Sequence, residues 1–186
     1  MAQNQALFSY PGIIQYDDFS VADVSGPCPA VINVRVFPQD QAPPLIGDIV
    51  LTYNEHRIVY PDCILDAVTF ENGSSGRIAS CRFLDQRWRW PFAQITGKYN
   101  WRMPDNFVEP YHEKSAGQLA AMCFEALGIV DYDVSALPDD ARPEVNWDHA
   151  NPGQELAKLC EDLGCRIVPQ RSTGKWFVRV TGEGQP

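Results

Sequence analysis

The sequence predicts an α+β chain. An antiparallel β-barrel occupies residues 1–110, and a small α+β unit with two helices, near 115–128 and 151–164, occupies residues 111–186. Three observations carry this reading. Fifteen prolines and thirteen glycines in 186 residues favour turns and short strands over a helical bundle. From Ile13 to about Asn106 the chain reads as strands and turns, with clear alternation in Val31–Phe37. From Ser115 onward the period becomes helical.

The first strand with a clear pattern is Val31–Phe37. It puts Ile32, Val34 and Val36 on one aliphatic face, the core side, and Val31, Asn33, Arg35 and Phe37 on the other. Pro38–Pro44 is a proline-rich connection. Gly47-Asp48 opens the strand Ile49–Tyr53, which turns at Asn54-Glu55 into Arg57–Tyr60. Cys63–Phe70 and Arg77–Leu84 read as a second hairpin across Glu71–Gly76, where Asn72-Gly73 supplies positive φ at little cost. Arg87–Trp90 and Gln94–Tyr99 complete six or seven strands, the texture of a barrel or sandwich.

In the second half Ser115 caps a helix and Gln118 completes a capping box. Leu119, Met122, Cys123, Ala126 and Leu127 form its apolar stripe and Gly128 ends it. Asn151 caps the second helix with Pro152 at its first position. Leu156, Leu159, Cys160 and Leu163 face inward and Gly164 terminates it. Tyr132–Leu137 and Glu144–Trp147 read as extended. Arg166–Val168 pairs with Trp176–Val180 across Ser172-Thr173-Gly174, and Ile167 and Phe177 are expected against the helices. The segments GQLAAMCFEALG and GQELAKLCEDLG, 36 residues apart, agree at six of twelve positions. Internal duplication and convergence of two capped amphipathic helices both account for this.

Composition narrows the function classes. The net charge is −9, from 15 basic and 24 acidic residues, and the excess acid is spread evenly: 12 acids and 8 bases in residues 1–110, 12 and 7 in residues 111–186. Such a chain is repelled by phosphate backbones, which disfavours specific nucleic-acid binding. No apolar run reaches the ~20 residues of a membrane helix, and Met1–Ser9 lacks the basic start of a secretion signal. The six cysteines, at 28, 63, 81, 123, 160 and 165, form no C-x-x-C pair and read as reduced thiols, with Cys123 and Cys160 as core groups.

Catalytic signals are sparse. His56, His112 and His149 fall in turns or connections, and no hydrolase, zinc or nucleotide motif occurs. A cysteine hydrolase would need Cys123 or Cys160 beside His149. Asp131-x-Asp133 and Asp139-Asp140 lack the glycine and distal glutamate of a calcium loop, so no metal and no cofactor is expected. The stretch Arg87-Trp88-Arg89-Trp90, with Trp101, is the candidate interface, because Trp and Arg dominate binding hot spots. The alternative for the stretch is structural, with tryptophans in a core and arginines on acidic neighbours. Trp88, Trp90 and Trp101 would also serve as sugar platforms in a carbohydrate-binding module.

Gly47-Asp48-Ile49-Val50 entering a hairpin, Asp85–Trp90, and Ile95-Thr96-Gly97-Lys98-Tyr99-Asn100 together resemble the first domain of tail hub proteins of tailed bacteriophages, the late-control D and baseplate-hub type. Ser115–Gly128, the acidic stretch Asp131–Val145, Asn151–Gly164 and Cys165–Pro169 resemble their next module, so the likeness runs from about Gly47 to Val180. It implies a tube-like barrel and a non-enzymatic virion protein, assembled in the host bacterial cytoplasm and located at the tail tip. Such subunits form a ring, here a trimer or hexamer, that continues the tail tube and joins other tail or baseplate proteins. Viral DNA passes through without specific binding, and the protein makes no membrane insertion of its own. Asp17, Asp18, Asp48, Asp66 and Glu71 either line the bore or are solvated turn residues. Hubs of this type carry two barrels per chain, whereas one barrel and one α+β unit are read here. The linker-like Gly182–Pro186 would suit a shortened subunit or half of a split one. A tail-associated cell-wall hydrolase is the enzymatic alternative.

Overall fold

The computed structural model describes residues 6–37, 42–73, 76–103 and 110–182. The expectations for residues 1–5, for 38–41 of the proline-rich connection, for the turn positions 74–75, for Asn106 and for the tail from 183 lie outside the described residues. The fold is α+β and the chain packs as two units. The first comprises Met1–Val24, Cys28–Trp88 and Arg171–Gly174; the second comprises Ser25–Pro27, Arg89–Gln170 and Lys175–Pro186.

The first unit is one six-stranded antiparallel sheet. Its strands are β1 (Leu7–Ser9), β2 (Tyr16–Ala22), β3 (Val31–Val36), β4 (Ile46–Tyr53), β5 (His56–Gly73) and β6 (Gly76–Leu84), in the order β1-β4-β5-β6-β3-β2. The two edges, β1 and β2, are consecutive in the chain and curl toward each other. The Phe8 N–H donates to the Tyr16 hydroxyl at 3.0 Å, Tyr10 bridges Ile13, and the Phe8 ring meets Tyr16 edge-on at 5.6 Å. The result is a nearly closed barrel.

Its core follows the alternation in the sequence. Ile32, Val34 and Val36 are buried, while Asn33 and Arg35 point to solvent. Gly47 is required by packing, since a Cβ there would lie 3.1 Å from the Tyr10 ring. Opposite it, Pro61 and Asp62 bulge out of β5, between the pairs Ile49–Tyr60 and Gly47–Cys63. The Asp48 carboxylate accepts the Asp62 N–H at 3.0 Å and holds Asp62 at φ 50°. Such a bulge bends a strand and sharpens its twist, as barrel closure demands.

The second unit contains β7 (Ile95–Tyr99), α1 (Ala116–Ala126), β8 (Tyr132–Asp133), β9 (Val145–Ala150), α2 (Pro152–Asp162), β10 (Cys165–Gln170) and β11 (Lys175–Val180). β10 and β11 form the expected hairpin, with β8 added in parallel beside β11; β7 pairs with β9. The Ser115 capping box forms in full: its hydroxyl accepts the Gln118 N–H at 3.2 Å and the Gln118 side chain accepts the Ser115 N–H at 2.9 Å. The Asn151 side chain accepts the Gln154 N–H and donates to the Trp90 carbonyl at 2.9 Å, so one residue caps α2 and anchors the chain around Trp90. Leu119, Leu156, Leu159 and both helical cysteines are buried in one core; Met122, Leu127 and Leu163 flank it half-buried.

Three elements differ from the sequence reading. Arg87–Trp90 is not a strand: residues Gln86–Phe92 form a 3-10 helix. The Asp85 side chain accepts the Arg87 N–H and its carbonyl accepts the Trp88 N–H, a turn that Pro91 then keeps from returning to a ladder. Ile95–Tyr99 does not extend the barrel. It pairs with Val145–Ala150, because the Tyr99 ring packs edge-on to Trp147 at 5.8 Å and Ile95 enters the second core. On β11 the buried face is Trp176 and Val178; Phe177 points away from the helices. Trp176 wins that place through its contact with Trp90, ring to ring at 5.1 Å.

Leu156→Ala should lower stability by about 2–5 kcal/mol in denaturant unfolding, as for a fully enclosed leucine. Gly153→Ala should also destabilise, since the new Cβ would sit 2.8 Å from the Trp90 ring. A melting temperature unchanged in both would show that α2 does not pack on this core.

Candidate functional site

The long strand β5 sets the main feature of the first unit. It pairs with β4 only as far as Ile64, and the Leu65 N–H closes that ladder on the Leu45 carbonyl at 2.8 Å. From there β5 and β6 run on together to Gly73 and Gly76. Along this arm the outer edge of β5 pairs with no strand among the described residues.

The register decides what the arm presents. Leu65, Val68 and Phe70 stand opposite Phe83, Cys81 and Ala79, and these in turn stand opposite Ile32, Val34 and Val36 of β3. All share the face that forms the barrel core. On β6 and β3 these side chains are buried, but on β5 burial fails progressively, with Val68 40% and Phe70 60% exposed. A groove of about 410 Å³ opens here, floored by Leu65, Ala79 and Cys81 and walled by Ile13 and Pro43. The Arg77 guanidinium lies 4.2 Å from the centre of the Phe70 ring and covers one side of it. The lining is mostly apolar, with Arg77 its charged residue.

A second cluster in the first unit is polar and closed. Asp85 and Arg87 are both fully buried. The Arg87 Nε donates to the Asp85 carboxylate at 3.0 Å and Nη2 at 2.8 Å; Nη2 also donates to Asp23 at 2.7 Å and Nη1 to the Val24 carbonyl at 2.8 Å. Arg171 bridges the same two carboxylates, at 2.8 Å to Asp23 and 2.9 Å to Asp85, and lies 4.3 Å over the Tyr60 ring. Burial alone would lower the Arg87 pKa; the Asp85 hydrogen bonds and charge, then Asp23, outweigh it and hold the pKa above the ordinary arginine value. Burial, then the Asp23 charge, pushes the Tyr60 hydroxyl up to about 12. Two carboxylates face two guanidiniums with their hydrogen bonds engaged, so the cluster is a structural tie.

The expected interface residues are dispersed. Arg87 belongs to this tie. Trp88 is half-buried, its indole N–H donating to the Asp62 carbonyl at 3.2 Å. Trp90 is buried in the second core. Arg89 is exposed, and so is Trp101, whose ring carries the Lys98 ammonium at 4.1 Å. The structural alternative for the stretch therefore describes Arg87 and Trp90, and no row of tryptophan rings is offered to a sugar. What the sequence reading missed is the β5 edge, which arises because β5 runs for 18 residues beside the 8 of β4.

Neither cysteine proposed for hydrolysis is activated. Cys123 and Cys160 are fully buried and burial pushes both thiols up to about 12, while His149 is exposed. Both are protonated near neutral pH, the opposite of a reactive thiolate. Among the described residues no group of three or more His, Cys, Asp or Glu side chains is placed to hold a metal ion.

Two outcomes follow. Arg87→Ala should cost about 3–5 kcal/mol in unfolding experiments, because it leaves the buried Asp85 with Arg171 alone as its cation, whereas Asp85→Leu with Arg87→Met together should cost less. Native-state alkylation read by mass spectrometry should add a single label, at the exposed Cys28. Fast labelling of Cys123 or Cys160 would restore the hydrolase reading.

No family model matches the sequence, and no curated protein sequence does. The fold does have counterparts among solved structures. One is the tail protein from Neisseria meningitidis MC58, with a TM-score of 0.61 and 10% identity over 88% of this chain and 46% of that one. Another is the 43 kDa tail protein of prophage MuSo2 from Shewanella oneidensis, with a TM-score of 0.62 and 10% identity over 97% of this chain and 55% of that one. The chain spans about half the length of these two proteins, and at this identity the likeness is one of fold.

Proposed function

We propose that this chain is a structural, non-enzymatic component of a bacteriophage tail: a hub-type subunit that forms a ring of three or six copies at the tail tip and continues the tail tube toward distal tail or baseplate proteins. The observation that carries the reading is the β5–β6 arm. Its strand edge, unpaired among the described residues, and its exposed Val68 and Phe70 are liabilities in a solitary molecule, since a free edge beside apolar surface invites pairing with another chain. A neighbouring copy that covers the arm removes both, and a contact between two different surfaces closes on itself only as a ring. The fold shared with a tail protein and with a prophage tail protein supports the same reading.

Charge fits the role of a conduit. Each phosphate neutralised by Lys or Arg strengthens binding and adds salt dependence, so a bore that releases DNA must not be basic. The net charge of −9 suits such a bore. Exposed acids such as Asp17, Asp18, Asp48, Asp66 and Glu71 are available to line it.

Light scattering across concentration, with the native tail partners added where needed, should give a trimer or hexamer, and imaging should show a ring. A stable monomer inside assembled particles would overturn the reading. The ring should have a neutral or acidic inner wall and should not bind duplex DNA measurably in about 0.15 M salt; tight binding there would count against a conduit.

A further inference from the structure

The hairpin Cys165–Val180 departs from the charge of the chain around it. It contains Arg166, Arg171, Lys175 and Arg179 and no acidic residue, in a chain with nine more acids than bases. Arg171 is engaged with Asp23 and Asp85 in the first unit. The other three share one face of the sheet: the register sets Arg166 opposite Arg179, Val168 opposite Phe177 and Gln170 opposite Lys175. Cys165, Ile167, Trp176 and Val178, on the other face, are buried.

Like charges directly opposite each other on a sheet are destabilising. Here two arginines stand in that relation beside a half-exposed phenylalanine. The Arg179 guanidinium lies 4.4 Å and the Lys175 ammonium 5.3 Å from the centre of the Phe177 ring. Among the described residues, Asp131 and Asp133 of the neighbouring segment lie near this surface. Asp131 approaches Lys175 at 3.7 Å. Asp133 is held below the usual carboxylate pKa, first by its Ser135 hydrogen bonds and then by the Lys175 and Arg179 charges.

The complementary charge lies on the same unit. Helix α2 ends in Glu161 and Asp162, both exposed, with no basic residue in its last turn and no ion pair to either acid among the described residues. Lys158, one turn earlier, is the helix's only cation. Acids at a helix C-terminus oppose the helix dipole, so they too cost stability where they stand. The helix packs on the buried face of the hairpin, since Leu156, Leu159 and Cys160 share one core with Ile167 and Trp176. The acidic helix end and the cationic face therefore lie on opposite sides of one sheet.

We infer that these two surfaces are the halves of one contact between copies: the acidic end of α2 of one copy docks on the Arg166–Lys175–Arg179 face of the next. This rests on the ring reading above and names a second contact for it, built from residues other than the β5–β6 arm. Two unlike surfaces on opposite sides of a subunit propagate head to tail, which is the geometry a ring needs. Arginine stacked on an aromatic ring and capped by a carboxylate is a common anchor of protein contacts. Nucleic acid fits less well, because the Phe177 ring is already covered by two cations and is not free to stack on a base.

A charge-swap experiment on the full chain tests this, with light scattering at low and high salt as the readout and melting temperature as the check on folding. The double variants K175E/R179E and E161K/D162K should each weaken association by about tenfold or more, and the variant carrying all four changes should recover most of it. If a glutamate variant fails to fold, R179Q and D162N replace the reversals and should weaken association by a smaller factor. Wild-type assembly with both reversals assembling equally well would overturn this contact and leave the ring reading standing. A wild type that stays monomeric with its tail partners present would remove both. Binding of a single-stranded oligonucleotide by the wild type, lost in K175E/R179E, would reassign the face to nucleic acid.

Discussion

The buried pair of Asp85 and Arg87 is the constraint on which the first unit depends. Two full charges without water contact are costly to desolvate, and the cost is met only when nearly every lone pair and N–H is engaged. Here the engagement fixes chain direction. The Asp85 backbone N–H closes on the Ala30 carbonyl at the end of the β3–β6 ladder, and its side chain caps the next turn while gripping Arg87. Arg87 then reaches the Val24 carbonyl and Asp23 just past the end of β2, and Arg171 brings in a segment 84 residues further on. One ion cluster thus sets where β6 stops, where β2 ends and how the chain leaves the barrel. An apolar pair of equal volume would fill the space without specifying those directions.

The same cluster shows why part of the fold was legible in the sequence and part was not. Signals that act within one turn or one strand came through: the alternation of Ile32, Val34 and Val36, the Ser115–Gln118 box, the Asn151-Pro152 start and the glycines after both helices. These rest on contacts between residues at most four apart. Signals that depend on a distant partner did not. Ile95–Tyr99 has the composition of a barrel strand, and only Trp147, 48 residues later, draws it elsewhere. Arg87-Trp88-Arg89-Trp90 alternates like a strand, but the acid that bends it into a 3-10 turn is Asp85, and the second acid on Arg87 is 64 residues away. An interface at this stretch needs exposure that Arg87 and Trp90 lack.

The candidate surfaces were the least legible, because an interface in a single chain shows only as something left unfinished. Val68 and Phe70 rejoin the inward face of β5 after a register shift between Leu65 and Ala67, and their residue types are those of a core. They are exposed because β4 ends its pairing at Ile64 while β5 goes on. A difference in strand length between neighbours, rather than any residue type, creates the groove.

How the sheet treats its edges separates these alternatives. β1 is three residues long, and β2 is bulged between Tyr16 and Asp18 with Asp17 and Asp18 exposed at the distortion. Short length, a bulge and charge are the devices that keep a strand edge from recruiting another chain. The far half of β5 also begins at a bulge, where Asp66 is tied to Arg82 on β6, but the four residues Ala67 to Phe70 between it and Glu71 carry no charge. The chain blocks the edges that would join barrels side by side at random and leaves open the one on an arm with an apolar face. In a protein whose net charge opposes self-association, an edge left open beside Phe70 is the kind of surface that the proposed ring requires.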